Sequence, residues 1–266
     1  MSDKPKKVVS SDYTEEYFLT CCQGFSEFGS TTGNILPLRL RIPWEIADIK
    51  PNDLILDLGC GRGELVKQAT LQGNNIIGID YSPAALKLSK QLLNKLEVNK
   101  RNGNFSLICG NAFDLPIKDE AFDFVIMLDV IEHLYEEETN KSLRNIRNIL
   151  KPNGKLIIHT MPNLNYYRWG YPIFRLVEKV RGNTLPKNPR DRWKDYSHVH
   201  VNEQTPRKLS KFLSKNGFKS NVFLYNLNDF ENEKNIFFKK IMSILVNYVP
   251  FKWIFCNDII AIAVKK

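Results

Sequence analysis

The feature that most constrains the fold is a short apolar run that leads directly into a glycine-rich loop. Residues 54–58 read Leu-Ile-Leu-Asp-Leu, and Gly59, Gly61 and Gly63 follow at once. An apolar run of this length is typical of a strand buried on both faces of a parallel sheet. Glycine permits positive φ angles and the close approach of a ligand, and a helix predicted to begin at Glu64 offers unpaired N–H groups. The segment therefore predicts a strand–loop–helix unit that binds a ligand.

The same alternation of strands and helices continues along the chain. Further strands are predicted at 75–79, 105–109, 122–128 and 155–160, with closing strands at 218–224 and 259–264. Helices are predicted at 64–72, 83–97, 139–150 and 205–216, with Ser82 and Thr205 as caps. Alternation at this spacing predicts a doubly wound α/β fold, in which a mostly parallel sheet is covered by helices on both faces.

Four regions differ in sequence character: an N-terminal tail with helices, a ligand-binding core, an inserted lid and a completion of the sheet. Their predicted bounds are 1–49, 50–162, 163–204 and 205–266. In the first region, residues 12–23 show helical spacing of apolar side chains, and a weaker helical pattern at 35–49 is interrupted near Pro43. The lid is aromatic and basic, and it interrupts the strand–helix alternation.

A carboxylate ends the second predicted strand, because Asp80 follows residues 75–79. There it can accept hydrogen bonds from both hydroxyls of a ribose. A nicotinamide or flavin dinucleotide would need a third glycine where Glu64 stands, and Asp57 would repel its pyrophosphate. Acidic side chains here suit instead the ammonium and sulfonium groups of S-adenosylmethionine. The ordered set of loop, Glu64 and Asp80 favours that ligand over a dinucleotide.

The glycine loop and several later motifs together resemble a known family. Residues 54–64 resemble the first motif of the Rossmann-like class I methyltransferases. Further matches follow in order: Ile79-Asp-Tyr-Ser82, Gly110-Asn-Ala-Phe-Asp-Leu-Pro116, Phe122-Asp123, Asp129-Val-Ile-Glu-His133 and Leu150-Lys-Pro-Asn-Gly154. The resemblance covers residues 50–162, and the last two motifs are similar to those of quinone-biosynthesis and related small-molecule enzymes. It implies a seven-stranded sheet whose last strand is antiparallel.

The resemblance also implies which residues hold S-adenosylmethionine. The methionine end would lie against Asp57 and the loop, the ribose against Asp80, and the adenine against Asn111 and Ala112. Asp129 would lie beside the methionine and the transferred methyl group. The full predicted set comprises Asp57, Gly59, Cys60, Gly61, Gly63, Asp80, Tyr81, Asn111, Ala112 and Asp129.

Histidines are the candidate bases, because a methyl transfer to oxygen often needs one. His133 follows the fourth strand and is predicted to act with Asp129 as a catalytic residue; the alternative is a histidine that caps the next helix. His198 and His200 alternate and are expected on one face of an extended segment, with His200 as the catalytic candidate. His159 lies within the fifth strand and is predicted to be a core or wall residue.

No metal is predicted. The five cysteines contain no Cys-x-x-Cys pair, so a zinc site of the usual spacing is disfavoured. Glu132, His133 and the acidic run at 136–138 could suggest a divalent cation. The run is explained more simply as a solvated helix start, where acidic side chains are favoured by the helix dipole.

The acceptor is the open question in this sequence. Residues 163–192 interleave aromatic and basic side chains, which fits a lid over the acceptor, an interfacial helix that reaches a lipid-linked substrate, or a packed helix with a basic outer face. Aromatic side chains with arginine also suit stacking on nucleic-acid bases. A small-molecule or lipid-precursor acceptor, methylated on oxygen or nitrogen, is the leading hypothesis. The alternatives are an RNA or protein methyltransferase and a binding module without catalysis.

Partners and location follow from composition. The net charge of +9 suits an acidic partner or a solvated basic surface. Nucleic acid is disfavoured, since no appended RNA-binding domain is evident. Residues 1–7 lack the apolar core of a signal peptide, and the sequence has no charge-free apolar run of transmembrane length. A cytoplasmic protein is expected, with peripheral membrane contact through 163–192 as a further hypothesis.

Overall fold

One twisted sheet organises the molecule. The computed structural model describes residues 8–115, 117–193, 197–227 and 233–266. Within them, seven strands pair in the order β3-β2-β1-β4-β5-β7-β6, and β7 is antiparallel to both of its neighbours. The strands are β1 Leu54–Leu58, β2 Asn75–Asp80, β3 Phe105–Cys109, β4 Phe122–Leu128, β5 Leu150–Thr160, β6 Phe218–Leu224 and β7 Ile259–Lys265. The predicted fold class, including the antiparallel last strand, is confirmed.

The α-helices of the described residues cover both faces of this sheet. They are α1 Phe25–Thr31, α2 Leu38–Ala47, α3 Glu64–Leu71, α4 Pro83–Asn94, α5 Glu136–Ile149, α6 Tyr171–Val180, α7 Pro206–Lys215, α8 Ile236–Asn247 and α9 Lys252–Phe255. Both predicted caps are present: Ser82 Oγ accepts from Ala85 N at 3.3 Å, and Thr205 Oγ1 accepts from Lys208 N at 3.0 Å. Proline follows each cap, where its missing N–H costs nothing.

The core lies on both sides of β1, which is why that strand is apolar at almost every position. Leu56 and Leu58 face one buried cluster, which also contains side chains of α5 and α7. Ile55 faces a second cluster, which also contains side chains of α2 and α3. All three side chains are fully buried. Packing on both faces thereby fixes the position of β1, and with it the start of the glycine loop.

Two helical predictions in the N-terminal region were wrong in detail. Of residues 12–23 only residues 15–21 are helical, with a π-helical segment at Tyr17–Cys21, and Ser10–Asp12 forms a separate short turn. The pattern at 35–49 forms α2, which continues through Pro43. Pro43 lies on the buried face of α2 beside Trp44, so packing on the core outweighs the hydrogen bond that proline cannot donate.

The segment predicted as a lid, 163–204, has its two ends next to each other in the fold. Asn163 and Gln204 form an isolated bridge, and Leu164 N donates to Gln204 O at 2.8 Å. Between them the chain forms a π-helical segment at Tyr166–Gly170 that runs directly into helix α6. A short 3-10 helix follows at Pro189–Trp193. No helix within the described ranges is both long and apolar enough to span a bilayer.

Candidate active site

A cavity of about 690 Å³ opens at the carboxyl ends of β1, β2 and β4. This volume lies in the range of small-molecule sites. In a parallel sheet the strand ends meet at one edge, so residues distant in sequence line one space. The glycine loop, Asp80, Asn111 and Asp129 all contribute to the lining.

Backbone hydrogen bonds and close contacts shape the glycine loop. Gly59 N and Cys60 N donate to Ile79 O at 2.7 and 3.0 Å, which fixes the loop to the end of β2. Gly59 has φ +77°, and a Cβ there would lie 2.4 Å from Val130 Cγ2. Gly63 does not line the cavity; with φ +83°, it lets the start of α3 pack against Ser89 of α4.

Two buried carboxyls make this end of the cavity receptive to a cation. Asp80 accepts from Gly61 N at 3.0 Å and from Ser82 N at 2.8 Å. Burial nevertheless raises the pKa of Asp80 to about 6. Burial, with the nearby carboxyls of Asp80 and Glu64, raises the pKa of Asp57 to about 8. A cationic ligand would lower both pKa values, because it favours the ionised carboxylates.

Asp129 stands at the end of β4 between two cations. It has φ 55°, and its carboxylate receives Arg39 Nη1 at 2.5 Å and His159 Nδ1 at 2.6 Å. Burial alone would raise the pKa of Asp129, but His159 and Arg39 hold it well below its ordinary value. Asp129 is therefore a permanent carboxylate at the cavity wall.

His159 is a buried positioning residue, as predicted for a core or wall histidine. Its Nε2 lies 3.3 Å from Asp258 Oδ1, on the side opposite Asp129. Burial would lower the pKa of His159, but the two carboxylates, Asp129 first, raise it to about 10. The ring is charged at neutral pH and fixes the orientation of Asp129.

Arg39 is a site residue that the sequence analysis missed. It lies on the buried face of α2, lines the cavity, and donates from Nε to Gln23 O at 2.9 Å. A buried arginine among Leu40 and Trp44 is costly unless it is paired. An arginine on the apolar face of this helical pattern was the sequence signal that could have marked Arg39 as a site residue. With Asp129, Arg39 gives the cavity wall charges of both signs, as a zwitterionic ligand requires.

Residues 8–40, which we call the N-terminal cover, close one side of the cavity. Tyr13, Tyr17 and Phe18 contribute to the lining. Arg62 of the glycine loop fastens the cover, because its guanidinium donates to Phe18 O at 2.7 Å and pairs with Glu64 at 2.9 Å. The sequence analysis assigned the lid to 163–204 alone, whereas both segments enclose the cavity.

His133 and His200 meet in the wall of the same cavity. Their ring centroids lie 4.8 Å apart with an edge-to-face geometry. His133 Nδ1 lies 3.1 Å from Val199 O, which can only accept, and 2.9 Å from Tyr13 Oη, which can accept as well as donate. A proton on Nδ1 satisfies both contacts and leaves the lone pair on Nε2. Burial lowers the pKa of His133 to about 4, and burial with His133 lowers that of His200 to about 3. Both rings are therefore neutral at pH 7.

His200 reaches this position through backbone hydrogen bonds. Val201 N and Asn202 N both donate to Glu132 O at 2.9 Å. The expectation that His198 and His200 share one face of an extended segment was wrong, since a helical turn at Ser197–Val199 separates them. His198 instead lies 3.8 Å from Asp12 of the cover.

One cluster among the described residues has the geometry to hold a metal ion. Potential ligand atoms of Glu132, His133 and His200 lie within 4.8 Å of one another. Burial and the charge of Asp129 raise the pKa of Glu132 to about 8, although Thr160 Oγ1 donates to it at 2.8 Å. The acidic run is outside the cluster and begins α5, as predicted for a helix start.

Comparisons with known proteins agree with this geometry. Residues 56–158 match the sequence profile of a family described as a methyltransferase domain. A demethylmenaquinone methyltransferase of Bacillus cereus is 26% identical over 170 residues, which cover 60% of this chain and 66% of the relative. One from Oceanobacillus iheyensis is 28% identical over 156 residues, or 56% and 61% of the two chains. The match thus spans just under two thirds of these relatives' length.

Solved structures share the fold. An S-adenosylmethionine-dependent methyltransferase from Archaeoglobus fulgidus superposes with a TM-score of 0.56 and 19% identity, over 86% of this chain and 93% of that one. A phosphoethanolamine N-methyltransferase of Haemonchus contortus was solved with S-adenosylmethionine. It superposes with a TM-score of 0.58 and 17% identity, over 98% of this chain and 61% of that one. The matched segment thus resembles a methyltransferase domain, and the fold is shared with S-adenosylmethionine-dependent methyltransferases. Both findings agree with the predicted family, enzyme class and methyl donor.

One cavity gathers nearly all the residues predicted for the site. The lining includes Asp57, Gly59, Cys60, Gly61, Asp80, Tyr81, Asn111, Ala112, Asp129, His133 and His200. Gly63 is the exception, for the packing reason given above. The individual roles of these residues remain predictions.

Proposed function

We propose that this protein transfers the methyl group of S-adenosylmethionine to an oxygen or nitrogen of a small-molecule or lipid-precursor acceptor. The observation that carries the proposal is that one cavity wall contains two kinds of group. Arg39 and Asp129 place charges of both signs there, and two neutral histidines line the same cavity. A zwitterionic donor and an acceptor that must lose a proton fit these two kinds of group.

At the donor end, each charged group has a counterpart on the ligand. The guanidinium of Arg39 suits the methionine carboxylate, and the carboxylates of Asp57 and Asp129 suit the ammonium. Asp80 has its backbone contacts already made and accepts further bonds from the ribose hydroxyls, while Asn111 and Ala112 border the adenine. Charge-assisted hydrogen bonds of this kind are about twice as strong as neutral ones.

At the acceptor end, we assign His133 as the base. Its Nε2 takes the proton of the acceptor as the acceptor atom bonds to the methyl carbon and the carbon–sulfur bond breaks. S-adenosylhomocysteine and the methylated product remain. His200 packs on His133 and orients it, and Asp129 acts beside the methyl as a fixed negative charge. Alignment and exclusion of water supply most of the rate acceleration in such a displacement.

Enclosure supports a small or lipid-linked acceptor over RNA or a folded protein. The N-terminal cover and residues 163–204 surround the cavity, and Met161, Pro162 and Tyr167 give the acceptor side an apolar wall. The curated relatives are named for a quinone precursor, which is consistent with an acceptor that carries an apolar tail. With such an acceptor, the protein would act at a membrane surface.

The test uses labelled S-adenosylmethionine and a lysate separated into lipid, RNA and protein fractions. We expect the label in the lipid or small-molecule fraction. His133→Gln should lower transfer roughly 10²- to 10⁴-fold while donor binding by calorimetry stays unchanged. Asp80→Ala should weaken donor binding at least about tenfold, whereas the exposed control Asp119→Ala should not. Label confined to RNA or protein, or full activity in His133→Gln, would contradict the proposal.

A further inference from the structure

Helix α6 carries an uncovered apolar stripe. Its members on α6 are Ile173, Leu176, Val177 and Val180, and Trp169 of the preceding segment Tyr166–Gly170 is exposed as well. Val180 is 84% exposed and Leu176 is 64% exposed, values that are unusual for side chains of this size. Spacings of three, four and seven residues from Ile173 place the members on α6 on one face.

A second stripe follows on α8 and α9. On α8, Met242 and Val246 are buried, so the helix packs by one face and leaves the other open. Phe237 on the open face is 74% exposed. The other exposed apolar side chains of this stripe are Ile236, Ile241, Ile244, Tyr248, Val249, Phe251 and Trp253.

The two stripes belong to neighbouring elements. The Arg181 guanidinium, just after α6, lies 3.9 Å from the ring centroid of Phe238 on α8 and pairs with Glu233 at 2.8 Å. Gly170, before α6, is so close to α9 that a Cβ would lie 2.4 Å from Ile254 O. We call these exposed faces together the α6–α8–α9 surface. Exposed apolar side chains gathered on neighbouring elements are typical of an interaction site.

The charges around this surface are mainly positive. Among the residues that the structure describes, the acids next to the stripes are Glu178 and Glu233, and both are paired with Arg181. Exposed basic side chains flank the stripes at Arg168, Arg175, Lys179, Lys234 and Lys240. Apolar side chains with tryptophan and tyrosine among them, bordered by basic residues, match the interface of an anionic bilayer.

We propose that the α6–α8–α9 surface docks the protein on an anionic lipid bilayer. The charge pattern favours lipid over a second copy of this chain, because two such faces would bring like charges together. Docking requires no span of the bilayer, only burial of the exposed side chains among the headgroups.

The surface adjoins the cavity. Tyr167, two residues before Trp169, lines the cavity, and Arg190 lies 5.4 Å over its ring and lines it too. A lipid-linked acceptor could therefore pass from the bilayer to the histidines along one wall. This last step rests on the proposed function, whereas the docking itself does not.

Flotation of the full-length protein with phosphatidylglycerol-containing vesicles tests the proposal. We expect flotation with these vesicles, little with pure phosphatidylcholine, and weakening by salt. The variant Leu176→Glu with Phe237→Glu should lose flotation. Lys179→Gln with Lys240→Gln should weaken binding about fivefold for each charge removed. The control Ile35→Glu alters an equally apolar side chain, 55% exposed, outside the surface and should float normally.

Two further measurements separate the outcomes. All variants should keep the thermal midpoint and donor binding of the wild type, since the altered side chains face solvent and do not line the cavity. A failure of docking thus leaves the proposed methyl transfer standing. Absent flotation, or a dimer by light scattering that Leu176→Glu with Phe237→Glu dissociates, would overturn the proposal in favour of no partner or a second copy.

Discussion

Asp129 has a left-handed backbone conformation, φ 55°, at the carboxyl end of β4, where it lines the cavity. Such a conformation costs a non-glycine residue on the order of 1–3 kcal/mol, and it persists where the surroundings over-determine it. Arg39 and His159 supply that constraint by holding one carboxylate oxygen each. At the scale of single residues, local strain is exchanged for a fixed negative charge at the place that we propose for the methyl group of the donor.

Arg39→Met tests this arrangement at the same scale. Loss of the guanidinium removes the cation proposed for the methionine carboxylate and one partner of Asp129. Donor affinity should fall about 10- to 100-fold, as for a hydrogen bond to a charged group, by isothermal titration calorimetry.

Arg41→Met is the matched control. Arg41 lies on the same helix, but it is exposed and its ion pair with Glu45 is loose, at 3.9 Å. Its donor affinity should equal that of the wild type. Equal affinities in both variants would show that Arg39 serves the fold and does not contact the donor.

At the scale of elements, α4 and α7 begin in the same way but are connected differently. Each has a hydroxyl cap followed by proline. Ser82 Oγ also donates to Tyr13 O at 2.8 Å, which ties the start of α4 to the N-terminal cover. Thr205 shows only the cap contact.

Ser82→Ala and Thr205→Ala should therefore differ in a specific way. Each should lower the free energy of unfolding by about 1 kcal/mol, the usual value of a cap, measured by urea denaturation. Only Ser82→Ala should speed proteolytic cleavage within residues 8–40, because only that variant frees the cover. Equal cleavage rates in the two variants would mean that the Tyr13 contact does not hold the cover in place.

At the scale of the whole molecule, His159 joins parts of the chain that are far apart. Through Asp129 it links β5 with the end of β4 and with Arg39 of α2, and through Asp258 it links them with the start of β7. The imidazole is fully buried. Removing one member of such a buried pair leaves uncompensated charge, so His159→Gln should cost about 3 kcal/mol at pH 7.

The pH dependence of that loss has a definite sign. The pKa of His159 is raised from about 6.5 in the unfolded chain to about 10 in the fold. Its stabilising contribution is complete below pH ~6.5 and disappears as pH rises towards 10. The difference between wild type and His159→Gln should therefore shrink from pH 7 to 10 in urea titrations.

His133→Gln serves as the control for this series. The folded pKa of His133 is about 4, so the ring is neutral in both folded and unfolded chains across pH 7 to 10. Its effect on stability should be constant over that range. A constant difference for His159→Gln as well would show that His159 is not charged in the fold.

The local motifs explain how much was predictable. The five strands before the inserted segment, both caps and the donor residues on the loops after β1, β2, β3 and β4 follow from short stretches of sequence. Apolar period, glycine conformation and capping act within a few residues, so the chain carries their signal locally. At Pro43 the local sequence pattern predicted an interruption of the helix. The structure shows that α2 continues through it, because packing of its buried face outweighs the missing hydrogen bond.

The glycine loop and Asp80 determined by themselves the class of ligand, because one strand, one turn and one carboxylate suffice to recognise a nucleoside. Only the tertiary structure decided what surrounds it. Arg39, the N-terminal cover and the pairing of His133 with His200 depend on contacts between distant segments, such as the bonds from Val201 and Asn202 to Glu132. Such contacts have no local signature, since each half is an ordinary residue until the fold brings the other within hydrogen-bonding distance.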